Sequence, residues 1–424
     1  MNDSFYLTEF GSFFKSDSNN QTSVSSITLD TKTWNTLEQL ILDSDQKIFS
    51  YVTPKQVKIN SYLGVIALND IHIEILPKTS KFEDIDLNRN RFRMLKMISR
   101  VHDLNFHQST EASLEVANKP LIEILVEKYL LLLLRTIKRG ISREYVNTYS
   151  FEKYIKGKLL LSKQLRTPKS QMDRSHIEFD ELTFDRAENR LIKSSLEFLN
   201  KRHFSSKVRK LLRELMHMFD EVPSSTNFIG DIKKWKSTRD MMHYQSLLPF
   251  IKFILRNNSP KTIKGNHNGI SFLFQMEELF EKYVFEVLNG LYKKPYKMSK
   301  QIGGKSLATQ DGRNIFSLRP DIAIFKDSKC ISILDTKWKL IDQSNQITDG
   351  YFNNNFGIKQ ADVYQLFAYG EKYLNGRGEL FLIYPATSNF DRPLEPMLLN
   401  DKGMKLNIVP FDLDNDNVEI NING

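Results

Sequence analysis

The 424-residue chain has a single cysteine, Cys330, so it can carry no intrachain disulfide framework. That usage suits a reducing, cytoplasmic setting, and the apolar run around Cys330 reads as packing rather than reactivity. The eight histidines include no H-E-x-x-H or comparable spacing, which argues against a zinc site or a histidine-based nucleophile system. Long apolar runs are missing too. "YLLLLL" (Tyr129 to Leu134) follows Glu127 and Lys128, precedes Arg135, and is too short to span a bilayer. The first residues, "MNDSFYLTEFGSFFKSD", have neither a basic start nor an uninterrupted apolar core, so no export signal is expected. An intact phosphate-binding loop is also lacking. "GGKS" (Gly303 to Ser306) ends like one, but Ser299 stands where G-x-x-x-x-G-K-[ST] needs its first glycine. The following "LATQDGRN" reads as a turn, not as a helix whose N-terminus could hold phosphate. No nucleotide is expected on this chain.

What is present is charge and a core. Sixty Lys and Arg against 51 Asp and Glu give a net charge of +9 and a pI near 9.2, which suits a polyanionic partner. The length and the 40% hydrophobic content favour two or three globular domains. "YKKPYKMSKQIGGKS" (Tyr292 to Ser306) interleaves lysines with tyrosines and reads as a basic loop able to position a phosphate backbone without reading sequence. A second basic block, Lys201 to Leu215, reads as the exposed face of a long helix.

The stretch "RPDIAIFKDSKCISILDTKWK" (Arg319 to Lys339) has the pattern of a hairpin. Two runs rich in β-branched and aromatic residues flank the polar "KDSK". Asp335 and Lys337, two apart on a strand, share a face, while Leu334 and Thr336 lie on the other. Asp321 and Asp335 on one surface would repel, and a bare buried carboxylate is costly, so a cation is expected between them. Mg²⁺ fits, since it takes a few carboxylates and shares its remaining positions with water and phosphate oxygens. A neighbouring ammonium can then orient a water and offset charge on a phosphorane-like transition state. The chemistry this pattern supports is metal-assisted phosphodiester hydrolysis. The plainer alternative is a solvated strand end with ordinary charges.

The flanks extend the pattern. Ile270 to Tyr292 spaces apolar residues at helical intervals and carries Glu277, Glu278 and Glu281; Gly357 to Leu374 reads as a second amphipathic helix; Glu379 to Pro385 reads as a buried strand. Helix, hairpin, helix, strand is the core order of the PD-(D/E)xK nucleases, and the chain resembles the McrC family. The resemblance rests on R-P-D at Arg319 to Asp321, on D-x-K followed by Trp338 and Lys339, and on Y-Q-x-x-A-Y at Tyr364, Gln365, Ala368 and Tyr369. Further stretches add to it: "YLGVIALNDIHIEILPKTS" (Tyr62 to Ser80), "GISREYV" (Gly140 to Val146), "IKGKLLLSKQL" (Ile155 to Leu165), "TFDRAENRLIKSSL" (Thr183 to Leu196) and "MEELFEKYV" (Met276 to Val284). It covers residues from about 60 to 385.

The resemblance implies a Mg²⁺-dependent endonuclease subunit of a restriction system directed at modified bases of the 5-methylcytosine type. Its substrate would be double-stranded DNA, and it would work with a McrB-like AAA+ ring that hydrolyses GTP. By resemblance, Asp321 and Asp335 would ligate the metal with the backbone carbonyl of Thr336, and Lys337 would orient the attacking water. Glu281 is a further metal candidate, and Gln365 and Tyr369, four apart on one helical face, are candidates for support or phosphate contact. Two other functions compete: a PD-(D/E)xK nuclease acting with a helicase in repair, and a non-catalytic DNA-binding or motor-regulating subunit. The expected fold is α+β and multidomain. A β-rich partner-docking region spans 1–118, a mainly helical stalk with a hairpin at 150–165 spans 119–240, and an α/β restriction-endonuclease-like domain spans 241–424. Pro223 to Asn227 is the expected loop after the stalk.

Overall fold

Apolar alternation near the N-terminus becomes two small sheets in the computed structural model, which describes residues 3–16, 23–43, 47–68, 71–79, 86–104, 119–138, 140–202, 204–256, 270–343 and 356–420. Strands β1 (Asp3–Thr8), β2 (Ser12–Lys15), β3 (Ser26–Leu29), β4 (Phe49–Thr53), β5 (Gln56–Ile59), β6 (Tyr62–Leu68) and β7 (Ile71–Leu76) are short. One sheet runs β3-β2-β5-β4 and the other begins β1-β7-β6. Helix α1 (Thr31–Asp43) buries Trp34, Leu37 and Leu40 in a core with Phe13, Val57, Ile66 and Ile73. Helix α2 (Leu87–Val101) starts at Asp86, whose side chain accepts the Arg89 N–H at 3.0 Å and so satisfies one of the helix's open donors. Its Arg91 is buried against Glu74 of β7, at 2.7 Å.

The polypeptide forms two compact units. Met1–Leu121 and Pro260–Gly424 make one, Ile122–Ser259 the other. The expected boundary at 118 lies outside the described residues, and the Pro223 to Asn227 loop falls inside the second unit. There the Ser225 N–H donates to Ser194 Oγ at 2.8 Å and its hydroxyl donates to Asp231 at 2.6 Å. The second unit contains α3 (Leu121–Ile137) from Ile122 onward, α4 (Ala187–Asn200), α5 (Ser206–Met218) and α6 (Leu248–Arg256). Of the block Lys201 to Leu215, α5 buries Val208, Leu212 and Leu215 and leaves its basic residues outward. The hairpin expected at 150–165 is rearranged. β8 (Glu144–Glu152) pairs along its whole length with β10 (Ser175–Thr183), and β9 (Lys158–Leu159) adds only two residues to the far edge.

Back in the first unit, Ile270–Gln275 is not the start of a helix but strand β11, antiparallel to β6. Gly64 makes this possible: at φ 138° it lets the Phe272 carbonyl oxygen approach to where a Cβ would stand only 1.8 Å away. Helix α7 (Met276–Leu291) follows directly. The stretch expected as a basic loop contains strand β12 (Tyr296–Lys300). The "LATQDGRN" turn joins β13 (Lys305–Gln310) to β14 (Arg313–Leu318), with Asp311 and Gly312 both at positive φ, as a two-residue type I′ hairpin turn requires. β15 (Ile322–Lys326) and β16 (Lys329–Thr336) form the expected hairpin. Helix α8 (Gln360–Tyr373) leads to β17 (Gly378–Pro385), and β18 (Met397–Leu398) and β19 (Met404–Asp412) complete a sheet of order β12-β15-β16-β17-β19-β18, with short β20 (Asn417–Val418) beside β19. Its centre, β16-β17-β19, is parallel and covered on both faces, hence the continuous apolar run "LFLIYP" in β17. Leu366 and Tyr369 of α8 share a core with Ile333, Leu380 and Leu382, while Phe280 of α7 meets Trp338 and Phe411 edge-on. The fold is thus mixed α/β, multidomain and multi-sheet. Among the described residues no helix is long and apolar enough to cross a membrane.

Candidate active site

Strand alternation places Ile333, Asp335 and Lys337 toward α8, and Leu334, Thr336 and Trp338 toward α7. Asp321 stands at the entrance to β15. The chain folds back there so that the Thr336 N–H and hydroxyl both donate to Asp321 Oδ2, at 2.8 and 3.0 Å. Asp321 is thereby locked against the strand that carries Asp335. Lys337 Nζ donates to Asp335 Oδ2 and reaches Gln365 Oε1 at 3.4 Å. Gln365 Nε2 donates to the Tyr369 hydroxyl at 2.6 Å, and that hydroxyl donates to the Arg319 carbonyl at 3.1 Å. All three motif residues and the two helix residues therefore meet, in one chain of contacts from α8 to the R-P-D segment.

Glu281 reaches the same place from α7. Gln301 Nε2 donates to it at 3.0 Å, and burial, then the negative charge of Asp321, holds its carboxyl above the usual range. Beyond Lys337, Lys339 pairs with the buried Asp362 at 2.7 Å. Sequence reasoning did not single out Asp362 or Glu9, and neither sits in a motif. Glu9, just past β1, accepts the Trp338 indole N–H at 2.6 Å and the Lys78 N–H at 2.8 Å. Burial pushes its carboxyl up to about 7.

Electrostatically the site carries an excess of buried carboxylate. Asp335 has 0% exposure, and burial, followed by the repulsion of Asp321, pushes its carboxyl up to about 7 despite the Lys337 ammonium. Burial alone would lower the Lys337 pKa, but Asp335 outweighs it and holds the lysine above its ordinary value. The Asp335 shift thus comes first from burial and then from Asp321, the Lys337 shift from the carboxylate beside it. Asp335 Oδ1 is buried with no hydrogen-bond partner, an arrangement that costs free energy unless something not made of protein answers it. Two convergent aspartates with an unsatisfied oxygen fit a hard divalent cation that keeps water in its other positions. Among the described residues no three acidic, histidine or cysteine side chains gather closely enough to hold a metal ion, so Glu281 does not close a cluster with the two aspartates.

Comparison with known proteins agrees with the family resemblance. The chain is 25% identical over 265 residues to the type IV methyl-directed restriction enzyme EcoKMcrBC of Escherichia coli K12, covering 59% of this chain and 73% of that protein. Its fold is similar to a chain in the assembly of Thermococcus gammatolerans McrB AAA+ hexamers with bound McrC. The TM-score is 0.66 at 18% identity, covering 99% of this chain and 97% of the other. The sequence model of the McrBC 5-methylcytosine restriction system component family matches residues 57–385, more than three quarters of the length, and on that match the chain belongs to this family.

Proposed function

We propose that this restriction-system component is the DNA-cleaving subunit, a Mg²⁺-dependent endonuclease of PD-(D/E)xK type acting on double-stranded DNA. The observation that carries the reading is the unsatisfied, buried Oδ1 of Asp335 beside Asp321 and Lys337. Asp321 and Asp335 would hold the metal, with the Thr336 carbonyl and water completing its shell. When bound, Mg²⁺ would lower the pKa of a bound water and polarise the scissile phosphate. Lys337, held by Asp335 and Gln365, would orient an attacking water and offset charge gathering on the phosphate oxygens. Tyr369 fixes Gln365 and the backbone before Asp321 together, so the two aspartates keep their spacing. Glu281 faces the site from α7 and would add negative charge beside the metal.

The partner reading rests on two observations. The chain lacks an intact phosphate-binding loop, and its fold matches a chain of an assembly of McrB hexamers with McrC. We infer a McrB-like AAA+ ring that hydrolyses GTP, with no nucleotide on this chain, 5-methylcytosine-type sites as the target and a cytoplasmic location. The decisive experiment is cleavage of methylated plasmid in Mg²⁺ with the ring present. Asp335→Asn and Lys337→Ala should each lower the rate at least about 10³-fold, about 4 kcal/mol in the barrier, while still binding the partner. Wild-type cutting by either variant would sink the proposal.

A further inference from the structure

Between β12 and the R-P-D segment the chain makes a hairpin, β13–β14, that pairs with no other strand among the described residues. An isolated two-stranded hairpin is marginal in water, so its persistence must come from anchorage. The anchor is Tyr373 on α8, whose hydroxyl lies 3.3 Å from the Ile302 carbonyl and 3.0 Å from the Leu318 carbonyl, gripping both ends of the hairpin at once. Lys305 adds its ammonium over the Tyr373 ring. One turn earlier on the same helix, Tyr369 holds the next carbonyl, that of Arg319. The hairpin is therefore mounted on the helix that buttresses the candidate site, with only Arg319 and Pro320 between Leu318 and Asp321.

Beyond this root the hairpin is bare. All of Lys305–Leu318 is exposed except Ser306, Ile315 and Leu318, which are half-buried. Leu307 is 49% and Phe316 71% exposed, and the register of the neighbouring pairs sets them opposite each other. Phe316 also sits at φ 56°, a left-handed conformation that costs an aromatic residue on the order of 1–3 kcal/mol. A strained aromatic, exposed apart from its cross-strand neighbour Leu307, adds little to the core of the fold. The polar side chains of the hairpin are hydroxyls, amides and the charges of Lys305, Asp311 and Arg313; Lys305 is held by α8, through the Lys372 carbonyl and the Tyr373 ring, which leaves Arg313 on the hairpin and Arg319 at its flank as the cations turned to solvent.

We propose that β13–β14 is a ribbon that seats duplex DNA beside the Asp321–Asp335 site. This deepens the nuclease reading above and rests on it. A two-stranded β-ribbon is of a width the major groove admits, and strands of six residues reach about 20 Å, enough to enter it. Arg313 then meets phosphate, and Phe316 with Leu307 meets sugar and base edges. A protein partner would have to be acidic and would have to dock where the scissile phosphate must pass, which favours DNA.

The test is binding of a short fluorescent duplex by the full-length chain at low salt, with Ca²⁺ replacing Mg²⁺ so that nothing need be cut. Arg313→Ala should weaken binding about fivefold and lower the slope of log affinity against log salt by about one. Phe316→Gly should weaken binding with the salt slope unchanged and leave the thermal midpoint equal or higher, because glycine accepts the left-handed backbone. Wild-type affinity in both variants overturns the proposal, as does failure of the wild-type chain to bind duplex at low salt. Loss of a protein partner at unchanged duplex affinity would also overturn it, assigning the hairpin to that partner. Cutting by Asp335→Asn would remove the nuclease reading and leave the binding result standing, so the two failures are distinguishable.

Discussion

Glu9 and Trp338 are joined by a 2.6 Å hydrogen bond from the indole N–H to Oε1, one residue beyond Lys337. Trp338 faces away from the candidate site, so Glu9 clamps the back of the strand whose front presents the lysine. The clamp draws on the Lys78 N–H as well, and the Ser61 hydroxyl lies 3.4 Å away. The N-terminal sheet and the D-x-K-W strand are thus one structural object.

The first prediction concerns the charge on that clamp. Burial raises the Glu9 pKa from 4.5 to about 7, with the negative charge of Glu277 adding to the effect. The folded state therefore holds the proton more tightly than the unfolded chain. The stability this supplies is complete below about pH 4.5 and lost as pH rises through about 7, roughly 3 kcal/mol in all. Glu9→Gln keeps an acceptor for Trp338 and has no proton to lose. Its thermal midpoint should fall less than that of wild type between pH 5 and 8, and parallel curves for the two proteins would refute the assignment.

Asp335 titrates in the same direction, from 3.8 to about 7, because burial and Asp321 disfavour its charge. In EDTA, Asp335→Asn should therefore be more stable than wild type near pH 8, by about 1–3 kcal/mol. Saturating Mg²⁺ should stabilise wild type and leave the variant unmoved, since a cation that binds only the folded site raises its stability by mass action. Equal Mg²⁺ shifts in calorimetry would place the cation elsewhere.

How much of this was legible in the sequence varies by element. The hairpin bearing Asp335 and Lys337 follows from local alternation and a polar turn, and α8 from its 3.6-residue period, so both could be placed without the rest of the chain. β11 could not. Its "ISFLFQ" continues into a helical period, and it becomes a strand only because Gly64, far away in sequence, leaves room for its backbone. Glu9 was invisible for a related reason, since a lone glutamate after a short strand carries no pattern until Trp338 is brought against it. Gln365 and Tyr369 lay between: the sequence set them on one face, and only tertiary packing aimed that face at Lys337.

A third prediction tests a buried pair that sequence could not announce. Arg91 and Glu74 are 2% and 0% exposed, and Glu74 Oε1 also accepts the Leu121 N–H at 2.8 Å, while Arg91 donates to the Lys119 carbonyl at 2.6 Å. Arg91→Ala strands a buried carboxylate and should cost about 3–5 kcal/mol. Arg91→Met with Glu74→Leu should cost much less, because no charge is left unpaired. Equal losses in the single and the double variant, by denaturant melts, would show that shape rather than charge matters there.

The last prediction concerns where the chain can be cut. Reading along the sequence places a nuclease domain at 241–424, yet in space this segment is braced by residues before 122. β11 has β6 as its partner, α2 packs on α7, and Arg93 and Lys96 of α2 pair with Asp414 and Asp416 at 2.6 and 2.7 Å. Removing 1–121 would leave β11 as an open edge, Trp338 without Glu9, and those aspartates without their cations, a loss on the order of the whole stability of a domain. Residues 122–259, by contrast, form a compact unit of their own. We therefore expect 122–259 alone to unfold in one cooperative thermal transition, and 241–424 alone to aggregate or to melt without cooperativity. Co-expressing 1–121 should return 241–424 to solution and restore protection of the β17 amides in hydrogen exchange. A sharp cooperative melt of 241–424 by itself would show that the N-terminal sheet leans on the sheet carrying Asp335 without supporting it.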